Sequence, residues 1–284
     1  IDSLVRGSED LVRTHEGRSL RPWIDDVRAL VVSRAPMDSR PLLLALLASM
    51  EQAATGSAPV IHSHLHPEAP GYAVARAYLD ALLRGDRRRA SRVVREALDR
   101  GTTLSDLYIR VFSPVQREVG RLWQRGEISV ADEHFCTAAT QLVMSQLYDR
   151  LFDGTRRGAT LVATSAPGDL HEVGIRIIAD LFEMRGWDTV YLGASTPASA
   201  VADAVLQHRA SLLAVSATLS SHVEGVRAVV REVRARTRGV PVLVGGAPFQ
   251  IAPSLVRYVG ADASAVSAEE AVRAAEALVA GPDP

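Results

Sequence analysis

The 284-residue chain contains no lysine: all 32 of its basic residues are arginine, which a GC-rich coding sequence explains without any function. A single cysteine, Cys136, excludes an intrachain disulfide and a thiolate metal cluster. Its place in an apolar helical run reads as that of a small core residue. There is no secretory signal and no unbroken apolar run of about 18 residues, so no membrane span is expected and a cytoplasmic protein is. Net charge is close to nil, at -1, which argues against a dominant nucleic-acid or polyanion surface. What is present is ordinary for a soluble globular protein, with 47% hydrophobic and 23% charged residues. The length suits two compact domains, or one with appendages. The first residue is Ile1 rather than Met. That suggests a piece of something longer, with domains elsewhere carrying part of the biology.

Three stretches differ in pattern. Residues 1–66 read as a helical extension and linker, clearest at Ser39–Leu47, where Ser39 serves as N-cap, Pro41 sits in the first turn and Gly56 ends the run. His62, His64 and His66 alternate in the linker. They have the means to gather a metal or touch a chromophore, but without a second ligand cluster a solvated linker is expected. Residues 67–155 are helical throughout: Tyr72, Ala75, Tyr78, Leu79 and Leu82 repeat at three- and four-residue steps. Further helices follow after Gly85-Asp86 and Gly101, and a last long one is expected over Ala131–Leu151. Four or so helices with short joints make an antiparallel bundle. Arg87-Arg88-Arg89 reads as the solvated start of a helix.

In residues 156–284 the period changes. Short apolar runs at 161–164, 190–192, 212–216 and 242–244, with a last short strand near 263–266, alternate with helical stretches at 172–185, 198–208, 222–236 and 268–280. That is a βαβ series, hence a Rossmann-like (flavodoxin-like) parallel five-stranded sheet with helices on both faces. The fold class is therefore α + α/β, a helical bundle cap followed by that sheet.

Ligands of open parallel sheets collect beyond the carboxyl ends of the strands. Three groups fall on that edge. Asp169, His171 and Gly174 follow the first strand, Ser216 and Thr218 end the third, and Gly245-Gly246 end the fourth. An imidazole coordinates a transition metal through one nitrogen and needs a partner for the other, and Asp169 is near enough to be that partner. Gly174 allows close passage under a flat ligand, Gly245-Gly246 open a slot, and Ser216 and Thr218 offer hydroxyls to a polar tail. Singly, each signal is weak. Together, in order and on matched strand ends, they point to a corrinoid.

This pattern resembles the cobalamin-binding domain of methionine synthases, corrinoid shuttle proteins, adenosylcobalamin mutases and B12 photoreceptors. That family's signature runs Asp-x-His-x-x-Gly, 41 residues, Ser-x-Leu, 26 to 28 residues, Gly-Gly. Here 41 residues separate Gly174 from Ser216 and 26 separate Thr218 from Gly245, with Thr218 in the place of Leu. The resemblance implies a base-off cobalamin with His171 as the cobalt axial ligand. A Ser that assists the His–Asp pair in methionine synthases is replaced by His222, which puts the proton relay in doubt.

Trp123 is followed after nine residues by Glu133-His134, an arrangement similar to the cap of the CarH/LitR light-sensing repressors. It implies that Trp123, Glu133 and His134 enclose an upper adenosyl group, through indole stacking and carboxylate hydrogen bonds. Gln124 stands where those repressors carry a second, light-state His ligand. Residues 1–66 show no winged-helix pattern, so direct DNA binding is not expected. The reading is a non-enzymatic B12 light sensor that changes conformation or oligomeric state, expected as a homo-oligomer with a fused or separate effector. A bilin as second chromophore, as in photocobilins, stays open. The alternative is a methyl-carrying corrinoid protein of a methyltransferase system.

Overall fold

The computed structural model describes residues 63–152, 156–237 and 239–280, with isolated helical positions between 27 and 47. Arg40, Leu43, Leu44 and Leu47 of the expected N-terminal helix are helical; the rest of it, and His62, lie outside the described residues. By its contacts the chain divides into a helical unit, residues 61–159 with 176–189, and a sheet unit containing residues 160–175 and 190–284.

The helical unit comprises α1 (Tyr72–Leu83), α2 (Arg87–Asp99), α3 (Leu104–Leu107), α4 (Ser113–Gln124) and α5 (Val130–Gln146). Its sequence sets the boundaries. Gly85, at φ 71°, ends α1, its N–H donating to Leu82 O at 2.9 Å. Asp86 then caps α2 by accepting from Arg89 N at 2.8 Å, so the three arginines form the exposed first turn as expected. Ser129 and Asp132 make a reciprocal capping box that starts α5 just before Glu133. Between α3 and α4 the residues Tyr108–Phe112 form a π turn, with Ser113 N–H donating to Tyr108 O. Pro114 follows at once and has no N–H of its own, so the wider turn leaves no donor stranded. Helix α5 stops at Gln146, short of the expected Leu151, and Tyr148–Arg150 continue as a tighter turn. Tyr78, Leu82, Val94, Phe112, Val115, Cys136 and Met144 fill the core at 1% exposure or less. Burial pushes the Cys136 thiol up to about 11, leaving it a neutral core side chain.

Residues 63–66 were expected as solvated linker; Ser63 and His66 are exposed, and the departure is at residues 64 and 65. Leu65 is buried, and His64 N–H donates to Glu118 Oε2 on α4 at 2.8 Å. Glu118 is itself buried and ion-paired with Arg121 at 2.7 Å. Burial alone would raise the Glu118 carboxyl, but the hydrogen bonds from Arg121 and His64 outweigh it and hold it below the usual range.

The sheet is parallel, in the order β2-β1-β3-β4-β5, with β1 Thr160–Ser165, β2 Asp188–Gly193, β3 Leu212–Ser216, β4 Val242–Gly245 and β5 Ala263–Ala265. The three central strands are almost wholly buried, as continuous apolar runs covered on both faces require. Helices α6 (Val173–Glu183), α7 (Ala198–Gln207), α8 (Val223–Arg236) and α11 (Ala268–Ala280) alternate with them. Helix α8 buries Val226, Val229, Val230 and Val233 at helical spacing, against a core that includes Val162, Leu213 and Val244. Two short helices after β4, α9 (Ala247–Ile251) and α10 (Ser254–Val259), were not expected. The register aligns Ser165, Ser216, Gly245 and Ala265 across neighbouring strands, so four strands end in one row.

Candidate functional site

The strand order reverses direction between β1 and β3, the place where open parallel sheets hold ligands. The loop after β1 carries Asp169 and His171, and the loop after β3 carries Thr218 and His222. The Asp169 side chain is fully buried, yet each oxygen is used. Oδ1 accepts from His171 Nδ1 at 2.8 Å and from His171 N–H at 3.0 Å. Oδ2 accepts from Thr218 N–H at 2.7 Å. Nδ1 of His222 lies 3.2 Å from the same Oδ2, in ion-pair range though off the line for a hydrogen bond. Burial pushes the Asp169 carboxyl upward, but these donors together outweigh it and hold it at about 2. The result is a fixed anion that sets the tautomer of His171, Nδ1–H toward Asp169. The His171 ring itself is 55% exposed.

Thr218 was expected to act through its hydroxyl; what the structure shows is its main-chain N–H, bound to Asp169. Ser216 closes β3 and pairs in register with Ser165 and Gly245. The two glycines of the pair differ. At Gly246, with φ 105°, an added Cβ would stand 1.9 Å from Ala217 O, so this glycine is demanded by the protein's own backbone rather than by a ligand slot. At Gly245 the nearest neighbour of an added Cβ would be Ala265 O at 3.4 Å. At Gly174 an added Cβ would meet nothing within 4 Å. Nothing in this unit's own packing therefore requires glycine at 174, which suits a surface left clear for a flat ligand.

Trp123, Glu133 and His134 belong to the helical unit. Trp123, the penultimate residue of α4, is 45% exposed and is no core residue. Glu133 lies in the first turn of α5, its carboxylate bonded to His134 Nδ1 at 2.6 Å and to Thr137 Oγ1 at 3.0 Å. Gln124 follows Trp123 as the last residue of α4. Several residues of the site escaped sequence reasoning. His222 had been noted only as a departure, and it lies within reach of Asp169. Glu172 accepts from Tyr191 OH at 3.0 Å, and Ser195, at φ 53°, accepts from Gly168 N–H at 3.0 Å. A polar residue after a strand end was the signal available for each. Among the described residues no three His, Cys, Asp or Glu side chains cluster as a metal cage. A single braced imidazole suits a metal whose other ligands come with a macrocycle.

A parallel sheet with one imidazole fixed by a buried carboxylate at its switch point defines a ligand-binding sheet domain, preceded here by a helical domain. Residues 159–276 match the B12 binding domain, and residues 74–148 match a second family also described as a B12 binding domain. The two matches, one over each region, make the B12-binding domain the family this chain resembles. It is 24% identical over 193 residues to monomethylamine corrinoid protein 1 of Methanosarcina acetivorans, covering 65% of this chain and 88% of that protein. It is 31% identical over 133 residues to the HTH-type transcriptional repressor CarA of Myxococcus xanthus, covering 47% of this chain and 44% of the repressor, so it spans less than half of that relative. The solved Methanosarcina barkeri monomethylamine corrinoid protein shares the fold, with a TM-score of 0.64 and 22% identity over 72% of this chain and 98% of that one.

Proposed function

We propose that this chain holds a cobalamin through His171, with Nε2 as the lower axial ligand of cobalt. The observation that carries the reading is the bond between His171 Nδ1 and a fully buried Asp169 that is itself fixed by Thr218 N–H. A carboxylate so placed raises the basicity of the imidazole and fixes its angle, the usual support for a metal-bound histidine. Bound cobalamin supplies a cobalt–carbon bond, able to carry a methyl group or to break in light. The open space over Gly174 and the row of strand ends at Ser216 and Gly245 are the surfaces available to the ring and its tail.

For the use made of the cofactor, the relatives favour a corrinoid protein that carries a methyl group for a methyltransferase system. The match to the monomethylamine corrinoid protein spans nearly the whole of that relative. A second reading, a light sensor holding adenosylcobalamin, is favoured by a specific observation. Trp123 presents an exposed indole at the end of α4, and Glu133 presents a braced carboxylate at the start of α5. An adenine-sized group gains from both, by stacking and by hydrogen bonding. A methyl group gains from neither.

One experiment separates them. The purified chain is loaded in darkness with methylcobalamin or adenosylcobalamin, and spectra and elution volume are recorded before and after green light. Tighter retention of methylcobalamin, with elution unmoved by light, supports the carrier. Tighter retention of adenosylcobalamin, with a light-driven change in elution, supports the sensor. Failure to retain any cobalamin removes both.

A further inference from the structure

Behind Glu133 runs a line of polar side chains that the packing of a helical bundle does not need. Thr137 Oγ1 lies 3.0 Å from Glu133 Oε1 and 3.3 Å from Gln116 Oε1. Gln116 Nε2 lies 2.8 Å from Thr140 Oγ1, which also accepts from Tyr78 OH at 3.0 Å. The line thus joins α1, α4 and α5, from a phenol with no exposure to a carboxylate whose side chain is 23% exposed. Phe at 78, Leu at 116 and Val at 137 and 140 would fill similar space without polar groups to satisfy, so burying this line costs stability unless every member is paired.

Counting protons gives the line a direction. A hydroxyl has one proton to give, and with the Gln116 amide as drawn Thr137 faces two acceptors while Thr140 receives from two donors. A half-turn of the amide exchanges its oxygen and nitrogen without changing its shape. Gln116 Nε2 then donates to Thr137, and Gln116 Oε1 accepts from Thr140. Each group now gives one proton to the next: Tyr78 to Thr140, Thr140 to Gln116, Gln116 to Thr137, Thr137 to Glu133. Hydrogen bonds aligned head to tail strengthen one another, and this chain ends on a charge. Burial pushes the Tyr78 hydroxyl upward, so the first donor keeps its proton at any working pH. From the other side His134 Nδ1 holds Glu133 Oε2 at 2.6 Å.

We propose that Tyr78, Thr140, Gln116 and Thr137 are positioning residues that aim the Glu133 carboxylate at the hydrogen-bond donors of an adenosyl group, and so set the preference for adenosyl over methyl. This rests on Glu133 meeting that group, the second reading above. The residues of the line touch no cofactor themselves; they act by fixing one rotamer of Glu133.

The test is the ratio of dissociation constants for methylcobalamin and adenosylcobalamin, measured by dye-free spectral titration of the full chain in darkness. Parent, Glu133→Ala, Thr137→Val, Thr137→Ser and Tyr78→Phe are compared. Thr137→Val is expected to reduce the adenosyl preference about tenfold, the scale of one hydrogen bond to a charged group. Thr137→Ser keeps the hydroxyl and is expected to restore it. Tyr78→Phe, which keeps the ring against Phe112, is expected to reduce the preference about threefold through loss of alignment. General loosening of the bundle would weaken both cofactors alike, leave the ratio unchanged and overturn the proposal. A ratio lowered by Glu133→Ala but untouched in Thr137→Val and Tyr78→Phe overturns the proposal and leaves the reading of Glu133 standing. A parent without adenosyl preference, unaltered by Glu133→Ala, overturns both.

Discussion

At the scale of single residues, the site is a matter of what fixes one imidazole. Asp169 is buried and bonded at both oxygens, so His171 has its Nδ1 proton and its ring angle set before any ligand arrives. Removing the ring and removing its support should therefore differ. His171→Ala is expected to leave any retained cobalamin with its own base or water below cobalt, seen as the spectrum of the free base-on or water-bound form. Asp169→Asn keeps the size but loses the charge that strengthens the ring as a ligand. It should retain the histidine-bound spectrum with affinity reduced about 10- to 100-fold, the range found when a partner of a metal-bound histidine is lost. Equal spectra in His171→Ala and parent would remove His171 as the ligand. His222, 3.2 Å from the second oxygen of Asp169, is the residue at this scale that spacing alone had not placed.

At the scale of elements, two glycines at strand–helix junctions make opposite predictions. Gly246→Ala forces a Cβ to within 1.9 Å of Ala217 O at φ 105°, and is expected to cost more than about 3 kcal/mol in urea unfolding, with or without ligand. Gly174→Ala meets nothing within 4 Å and lies in the first turn of α6, where alanine is the better helix former by up to about 1 kcal/mol. It should unfold no more easily than the parent, yet retain cobalamin less well. Easier unfolding of Gly174→Ala would place that glycine's role in the fold. The same elements show what the sequence could and could not announce. Strands β1, β3 and β4 are buried on both faces and read as unbroken apolar runs, so their edge of the sheet was visible. Helices α9 and α10 were not, because each is under two turns and Pro248 and Pro253 sit where a breaker would. The π turn at Tyr108–Phe112 hides in spacing that an α-helix would share. Asp169 and His171 are two residues apart, and local distance sufficed. Thr218 N–H on Asp169, and the line from Tyr78 to Glu133, depend on register and helix packing across 49 and 62 residues of sequence at their longest spans.

For the molecule as a whole, two buried aspartates are tuned in opposite directions, and the pH dependence of stability follows. Burial pushes Asp180 up to about 6, against the lowering effect of the hydrogen bond from Tyr108 OH at 2.7 Å and of Arg176, whose Nε is 3.8 Å away; nearby Glu183 pushes it further up. A carboxyl with a folded pKa above its unfolded value of about 3.9 binds more protons folded than unfolded between the two. Its contribution to stability therefore grows as pH falls from above 6 toward about 4, by on the order of 2 kcal/mol. Asp169, held at about 2, works the other way: its contribution is full above about 4 and is lost as pH falls toward 2. The summed contribution of these two carboxyls is greatest near pH 4 to 5, while His64, whose pKa burial lowers, works against it as pH falls below 6.5. Asp180→Asn still accepts from Tyr108 but cannot ionise. At pH 8 it should be the more stable of the pair, and the gap should close as pH falls to about 4.5, where the parent carboxyl is largely protonated. Urea midpoints for parent and variant across that range check the claim, since the histidines common to both cancel in the difference. A gap that stays constant from pH 8 to 4.5 would mean that Asp180 keeps an ordinary carboxylate pKa in the folded protein.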